Sequence, residues 1–315
     1  MDLTLLLQRL FDAVFNGGIY ASLALALVII YRATGRFNFA QGEMATFAAF
    51  VSFLLLTGPR PFLRGGSVVG LIPGVPWPIP LAVLGAVLFG IVSGAATERI
   101  LIRRLERKPD IASVNVTIGL LLTLNALTAE LWGTGGRFFP AVFPAGPDDH
   151  LLIGGARLRF TSIGVWLTLL ILVLLLVLLM QRTKPGLAFR AMSTNRASAE
   201  LHGINIGRTL AAGWALAAGI GALAATLSAN SVLLEPSMML RVLIFSLAAA
   251  TLGGLDSPKG AVVGGMIVAL SQTLVPAYVP FVGNELSLLP AVIMMLLVLL
   301  IRPAGLFGTE QVERV

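Results

Sequence analysis

Long apolar stretches alternate along the chain with short segments that carry the charges and most of the prolines. The stretch from Ile163 to Met180 runs for eighteen residues with a single hydroxyl and no charge. A helix needs about 20 apolar residues to cross the hydrocarbon core of a bilayer. The pattern predicts membrane-spanning segments near residues 11–31, 39–57, 79–98, 111–132, 163–181, 209–230, 241–255, 260–276 and 286–301.

These segments are long unbroken apolar runs, which favour helices over strands. A transmembrane β-barrel is built from alternating segments of about 10 residues, and the apolar runs here show no period of two. We therefore predict an all-α fold, a polytopic transmembrane helical bundle with about 8–9 hydrophobic segments, of which one or two are candidates for re-entrant or broken helices. The segment 241–255 is short, so it and the next segment form either a re-entrant pair or two full crossings.

Composition supports the membrane assignment and narrows the chemistry. The chain of 315 residues is 57% hydrophobic and 12% charged, whereas a soluble domain is about 25% charged. It contains no cysteine, which excludes disulfides, thiol catalysis and cysteine-ligated metals. The formal charge of +7 is typical of the basic loops that orient a membrane protein, and we favour this explanation over nucleic-acid binding.

The basic residues predict the orientation of the chain. With the amino terminus outside, 15 of the 22 Lys and Arg residues fall on the cytoplasmic side and 7 outside. Lys and Arg near span ends set the orientation, whereas acidic residues contribute little. We therefore expect the amino terminus outside and the carboxyl terminus in the cytoplasm.

Two outside loops and one cytoplasmic loop are long enough to form structure. Residues 58–78 are rich in Pro and Gly, and residues 133–162 contain an alternation from Leu151 to Phe160 that predicts either a short hairpin or an ordinary connecting loop. In the cytoplasmic loop 182–208, we expect Pro185-Gly186 to stop the preceding helix. A short helical turn follows over 187–192, and a second helix over 196–202 is capped by Asn195 and ended by Gly203.

Catalytic machinery is not evident in the sequence. A phosphate-binding loop ends in Lys-Ser or Lys-Thr, but the three lysines, Lys108, Lys184 and Lys259, precede Pro, Pro and Gly. No predicted span combines Ser or Thr with His, so we expect a non-catalytic protein without a cofactor. An ATP-driven cycle would need its energy from another polypeptide acting on the loop 182–208.

Ionisable residues within spans are costly and are therefore candidate sites. Glu98 and Glu130 lie at span ends, where an interfacial position is the simpler interpretation. Glu43 belongs to the run from Asn38 to Glu43, in which Asn38 and Gln41 have the spacing of a variant capping box. The run predicts either a helix that starts at membrane depth and points free N–H groups at a solute, or a simple surface cap.

A second irregular element runs from Gly253 to Gly265. Gly260 and Gly264 are spaced as a small-xxx-small face, as are Gly90 and Gly94. The element predicts either close helix approach or a hinge or pore-lining break, and the sequence does not choose between them.

Several of these segments together resemble one family, the branched-chain amino-acid ABC transporter permeases of the LivH/LivM type. The residues that carry the resemblance are Asn16 to Ala21, the N-F-A-Q-G-E run from Asn38 to Glu43, Ala199 to Asn205, Leu252 to Ala261 and the R-P-A-G-L-F-G run from Arg302 to Gly308. They occur in order from residue 16 to residue 308. Members of the family commonly have His where this chain has Gln41.

The resemblance implies one transmembrane permease domain over residues 1–315, with 182–208 as its cytoplasmic coupling loop. It also implies a second permease subunit, two cytoplasmic ATPases and an extracytoplasmic solute-binding protein in a bacterial or archaeal cytoplasmic membrane. The expected path residues are Asn38, Gln41, Gly42, Glu43, Gly253, Gly254, Ser257, Pro258 and Gly260. The expected coupling residues are Arg190, Asn195, Arg196, Ala199, Glu200, Gly203 and Ile204. The alternative is a gradient-driven secondary amino-acid carrier that uses Glu43.

Overall fold

The computed structural model describes residues 3–57, 77–105, 108–279, 282–283 and 286–308 of the chain. Within these residues nine apolar helices match the nine segments predicted from hydrophobicity. They are α1 (Leu3–Thr34), α2 (Gln41–Thr57), α3 (Ile79–Thr97), α4 (Asp110–Trp132), α5 (Phe160–Arg182), α8 (Ile206–Ser228), α9 (Met238–Gly253), α10 (Pro258–Tyr278) and α11 (Leu288–Ile301). Two shorter helices, α6 (Lys184–Thr194) and α7 (Arg196–Leu201), lie between α5 and α8.

The prediction of an all-α membrane fold is confirmed. Six of the described helices are long and apolar enough to cross a membrane, and α2, α9 and α11 are shorter apolar helices. The helix α1 begins eight residues before the predicted span at residue 11. The predicted outside loop 58–78 lies outside the described residues except for its last two, 77 and 78.

The described residues divide into two compact units. The first is drawn from Met1–Arg32, Phe143–Leu176 and Val242–Val315, and the second from Ala33–Val142 and Val177–Arg241. The single domain predicted over residues 1–315 stays a prediction.

Small residues bring the helices of the second unit close together. A Cβ placed on Gly94 of α3 would lie 2.5 Å from the Trp214 carbonyl oxygen of α8, and one on Gly90 would lie 2.8 Å from that of Ala218. The helix α2 joins this pair through a cluster of buried alanines, Ala48, Ala86 and Ala222. Close approach is therefore the explanation for Gly90 and Gly94.

In the first unit, α1 packs against α10 and against the start of α5. A Cβ on Gly265 would lie 2.6 Å from the Ala21 amide nitrogen, so the backbones of α1 and α10 approach closely. The Tyr20 hydroxyl donates a hydrogen bond of 2.6 Å to the Gln272 Oε1 atom. The Tyr20 ring also stacks on Phe245, with the ring centroids 5.0 Å apart.

The segment before α5 forms a hairpin, which decides one alternative left open by the sequence. Strand β1 (His150–Ile153) pairs antiparallel with β2 (Ala156–Arg159), with His150 opposite Arg159. Gly154 and Gly155 have φ values of 58° and 82°. Positive φ at both central residues is the requirement of a two-residue type I′ turn, and Gly-Gly meets it.

Candidate functional site

The helix α6 starts earlier than the sequence predicts. Pro185-Gly186 was expected to lie outside a helical turn over 187–192, but α6 begins at Lys184 and continues to Thr194. The Thr183 side chain caps it by accepting a hydrogen bond from the Gly186 amide. Pro185 fits because N–H groups in the first turn of a helix have no partner within the helix, so the N–H that proline lacks costs no hydrogen bond. Gly186 is required because a Cβ there would overlap the Leu179 carbonyl oxygen at the end of α5.

The next helix, α7, has the predicted cap at each end. The Asn195 Oδ1 atom accepts a hydrogen bond of 2.9 Å from the Ser198 amide. At the other end Gly203 has a φ of 80°, and the Gly203 and Ile204 amides donate to the Glu200 and Ala199 carbonyls. This is the Schellman arrangement, in which a left-handed glycine follows the helix. Asn195 is at the same time the C-cap residue of α6, so the two helices meet at one residue.

The α6–α7 segment buries one side and exposes several large side chains. Ala199 is 4% exposed, whereas Leu201 is 88% exposed and Leu187 is 60% exposed. The predicted coupling residues Arg190, Arg196 and Glu200 are also exposed, and Ile204 is half-buried. Nothing in the sequence distinguishes the two leucines, because their exposure depends on how the short helices pack on α8.

The polar run before α2 is organised differently from a capping box. The helix α2 begins at Gln41, two residues after the predicted start of the span. The Asn38 Oδ1 atom accepts from the Ala40 amide at 3.1 Å, and Asn38 Nδ2 donates to Gln41 Oε1 at 3.0 Å. Gln41 then donates from Nε2 to the Ala217 carbonyl of α8 at 2.9 Å. The predicted capping box is therefore wrong, since the Gln41 side chain bonds to a neighbouring helix instead of the start of its own.

Glu43 lies in the first turn of α2 and is 1% exposed, beside Gly42, which is also buried. Its carboxylate interacts with the Asn125 side chain of α4, and Asn125 donates in turn to the Pro236 carbonyl at 3.2 Å. The Glu43 Oε2 atom has no hydrogen-bond partner among the described residues. A buried carboxylate oxygen without a partner is costly, so Glu43 remains a candidate site residue.

A second buried acid, Glu98, has a full partner. Its carboxylate accepts hydrogen bonds from Arg103 Nε at 3.2 Å and from Arg103 Nη2 at 2.7 Å. The same Nη2 atom donates to the Gly207 carbonyl at 2.7 Å, at the start of α8. Glu98 is at a span end, as predicted, but its side chain is fully buried, so its role is to join the end of α3 to α8. Glu130, the other acid assigned to a span end, is exposed.

The glycine element of the first unit is explained by close packing and capping. A Cβ on Gly264 would overlap the Ala249 carbonyl oxygen, and one on Gly253 would overlap that of Gly260. The Ser257 side chain caps α10 by accepting from the Gly260 amide at 3.0 Å, and Pro258 occupies the first turn. Of the two predicted explanations, close helix approach is the one observed here.

The carboxyl-terminal motif packs on the same element. The Leu306 and Phe307 amides donate to the Leu252 and Gly253 carbonyls, both at 2.9 Å. Gly254 has a φ of 106°, and a Cβ there would lie 2.5 Å from the Gly308 amide nitrogen. Two motifs separated by about fifty residues in the chain are therefore one structural element.

Comparison with known proteins gives the family directly. The family model described as "Branched-chain amino acid transport system / permease component" matches residues 9–299. The permease protein LivH of Salmonella typhimurium is 25% identical over 98% of this chain and 97% of its own. BraD of Pseudomonas aeruginosa is 24% identical over 98% of each chain. A probable LivH of Methanocaldococcus jannaschii is 27% identical over 95% of this chain and 91% of its own.

These three relatives are named as branched-chain amino acid transport permeases, the first two of high-affinity systems. The match to the family model covers well over half of the chain, and the described helices are those of a multi-pass membrane protein. The family predicted from the sequence motifs is therefore confirmed. The chain belongs to the family of branched-chain amino acid transport system permease components.

Proposed function

We propose that this chain is the transmembrane permease subunit of an ATP-binding-cassette importer that carries amino acids, with branched-chain amino acids as its substrate class. The support is the family match over residues 9–299 and the names of the full-length relatives. ATP hydrolysis is assigned to separate subunits, because none of the three lysines lies in a phosphate-binding loop.

The observation that carries the proposal is the α6–α7 segment. Two short helices, joined at Asn195 and closed by Gly203, hold Leu187 and Leu201 exposed between the spans α5 and α8. A surface on which large apolar side chains lie among exposed charged residues is typical of a contact for a protein partner. The α6–α7 segment therefore serves as the docking surface for an ATPase, and α8, which starts two residues after Ile204, transmits the movement.

The remaining partners and the orientation follow from this assignment. The importer contains a second permease subunit, identical or different, two cytoplasmic ATPases and an extracytoplasmic solute-binding protein. The chain lies in the cytoplasmic membrane with its amino terminus outside and its carboxyl terminus in the cytoplasm, in agreement with the distribution of Lys and Arg.

We assign the translocation path first to the buried residues Asn38, Gln41, Gly42 and Glu43 together with the half-buried Asn125. Support comes from the Glu43 carboxylate, which is buried in the first turn of α2 and keeps one oxygen without a partner among the described residues. The glycine element is proposed separately as a second part of the path. It consists of Gly253, Gly254, Ser257, Pro258 and Gly260, and there the end of α9 and the start of α10 pack backbone against backbone.

Reconstitution into liposomes tests the transport assignment. The chain is reconstituted with its ATPase, second permease subunit and binding protein. It is then expected to transport a branched-chain amino acid only when ATP is present on the side of the membrane where the ATPases lie. If the chain alone accumulated the amino acid in response to an ion gradient, the proposal would be wrong. The gradient-driven carrier suggested by Glu43 would then be right.

Co-purification tests the docking segment. Gly203→Pro removes the amide that bonds to Glu200 and cannot adopt the φ of 80°, so we expect it to lose the ATPase. Arg190→Glu changes an exposed charge and is expected to weaken the same complex. Unchanged ATPase binding by both variants, each with a normal elution profile, would contradict the assignment.

A further inference from the structure

An apolar crevice of about 440 Å³ lies in the second unit, between α3, the end of α5, α6 and the first half of α8. Phe189 of α6 and Gly213 of α8 are buried residues of its lining, and a Cβ on Gly213 would lie 3.1 Å from the Phe189 ring. Ile91, Leu179 and Met180 form its walls. The glycine thus keeps the crevice open beside a buried ring.

The crevice extends along α8 from Arg208 to Leu216. At about 1.5 Å per residue, this is about 12 Å along the helix. One leaflet of the hydrocarbon core is about 15 Å thick, half of the about 30 Å total. The crevice runs parallel to a span, and its length is close to the thickness of one leaflet. It therefore has the dimensions needed for an acyl chain.

One cation lines the crevice at the start of α8, and two more lie close to its lining in sequence. Arg208 lines it in the first turn of α8, and its side chain forms no ion pair within the part of the chain that the structure describes. Arg182 ends α5 and Lys184 begins α6, next to the lining residue Pro185. All three cations are exposed and lie at helix ends, where a span leaves the hydrocarbon.

We propose that this crevice binds an anionic phospholipid, with an acyl chain along Phe189 and Gly213 and the phosphate at Arg208. Basic pockets between transmembrane helices bind anionic head groups, and the apolar walls supply the area that holds a chain. The lipid would lie directly against α6, so it would stabilise the α6–α7 segment from the membrane side.

The charge arrangement favours this occupant over two others. A soluble phosphate would use the cations but leave the apolar walls empty. An apolar helix of another subunit would cover the walls but would leave the Arg208 cation without an anion. Only a lipid satisfies both the apolar length and the charged end of the crevice.

Lipid retention measured by native mass spectrometry tests the proposal. The full chain, assembled with its partner subunits, is placed in phosphatidylcholine nanodiscs with or without phosphatidylglycerol. The complex is then released in the mass spectrometer, and the lipids that stay bound are counted. We expect one retained phosphatidylglycerol, and Arg208→Gln is expected to lower its retention about fivefold, since a cation near the surface contributes about 1 kcal/mol. Arg104→Gln is the matched control, because Arg104 is exposed and does not line the crevice.

A second variant tests the apolar space of the crevice without changing its charge. Ala212 lines the crevice but is exposed, so Ala212→Phe fills the space without disturbing the core and is expected to abolish retention. Equal losses with Arg208→Gln and Arg104→Gln would show a general surface attraction and overturn the proposal. So would full retention in Ala212→Phe, displacement of the lipid by glycerol phosphate, or cross-linking of Ala212→Cys to another subunit.

Discussion

Gln41 joins the first turn of α2 to the middle of α8, with its Nε2 atom 2.9 Å from the carbonyl oxygen of Ala217. The contact is possible because residue 221, one turn further along α8, is a glycine. A Cβ on Gly221 would lie 2.6 Å from Gln41 Nε2. The same amide accepts a hydrogen bond from Asn38, so one side chain connects the polar run to the neighbouring span.

Gly221→Ala is therefore expected to destabilise the protein. The added methyl displaces the Gln41 amide and breaks a buried hydrogen bond, at a cost of about 1–3 kcal/mol. The measurement is the midpoint of thermal unfolding in detergent. Gly119→Ala is the control, because a Cβ at Gly119 meets nothing within 4 Å and Ala is favoured over Gly in a helix by about 1 kcal/mol. Equal shifts in the two variants would refute the account of Gln41.

The ion pair of Glu98 and Arg103 is expected to be far more important than the ion pair of Arg36 and Asp110. Glu98 is fully buried, whereas the Asp110 side chain is 84% exposed. Arg103→Ala leaves a buried charge without its cation, which costs about 3–5 kcal/mol. Asp110→Asn removes an exposed pair worth about 1 kcal/mol or less. Chemical denaturation in micelles gives both free energies of unfolding, and a smaller loss for Arg103→Ala than for Asp110→Asn would contradict the structure.

Local signals in the sequence were sufficient for the helices and for the ends of α7. Apolar runs located the nine apolar helices of the described residues because hydrophobic length is a property of each segment alone. Asn195 and Gly203 were recognised because a cap depends on neighbours within a few residues. The hairpin was left open between two alternatives, although Gly154-Gly155 is a recognised signal for its turn.

Contacts between distant segments were not predictable from one sequence. The Gln41 amide has the spacing of a capping box with Asn38, and only the position of Ala217 in space shows that it bonds elsewhere. Asn125 is one of two amide side chains inside an apolar run, Asn115 being the other, and its link to Glu43 depends on how α2 and α4 pack. The hydrogen bond from Arg103 to the Gly207 carbonyl likewise depends on where the start of α8 lies in space.

The proposed orientation predicts which side of the membrane each loop faces. The chain has no cysteine, so a single introduced cysteine can be labelled without background. Glu200→Cys, in α7, is expected to react with an impermeant maleimide only from the cytoplasmic side, and Leu152→Cys, in β1, only from outside. Both side chains are exposed, so access is not limited by burial. Labelling with the opposite sidedness would reverse the orientation.

The exposed apolar side chains of the docking segment predict a specific loss of coupling. Leu201→Asp places a charge where we expect an apolar pocket of the ATPase, so amino-acid uptake driven by ATP should fall at least about tenfold, as expected for an interface anchor worth about 2 kcal/mol. Leu201→Met keeps the apolar character and is expected to retain uptake. Because Leu201 is 88% exposed, neither change should alter the unfolding midpoint of the isolated chain.

The most direct test of the docking assignment is a photo-cross-linking amino acid at position 201 in the assembled transporter. We predict a cross-link to the ATPase, formed in the membrane and lost when Gly203→Pro is added to the same chain. A cross-linker at Leu152 of the hairpin is the control and should not reach the ATPase. Cross-linking of position 201 to lipid alone, or to the solute-binding protein, would contradict the role of the α6–α7 segment.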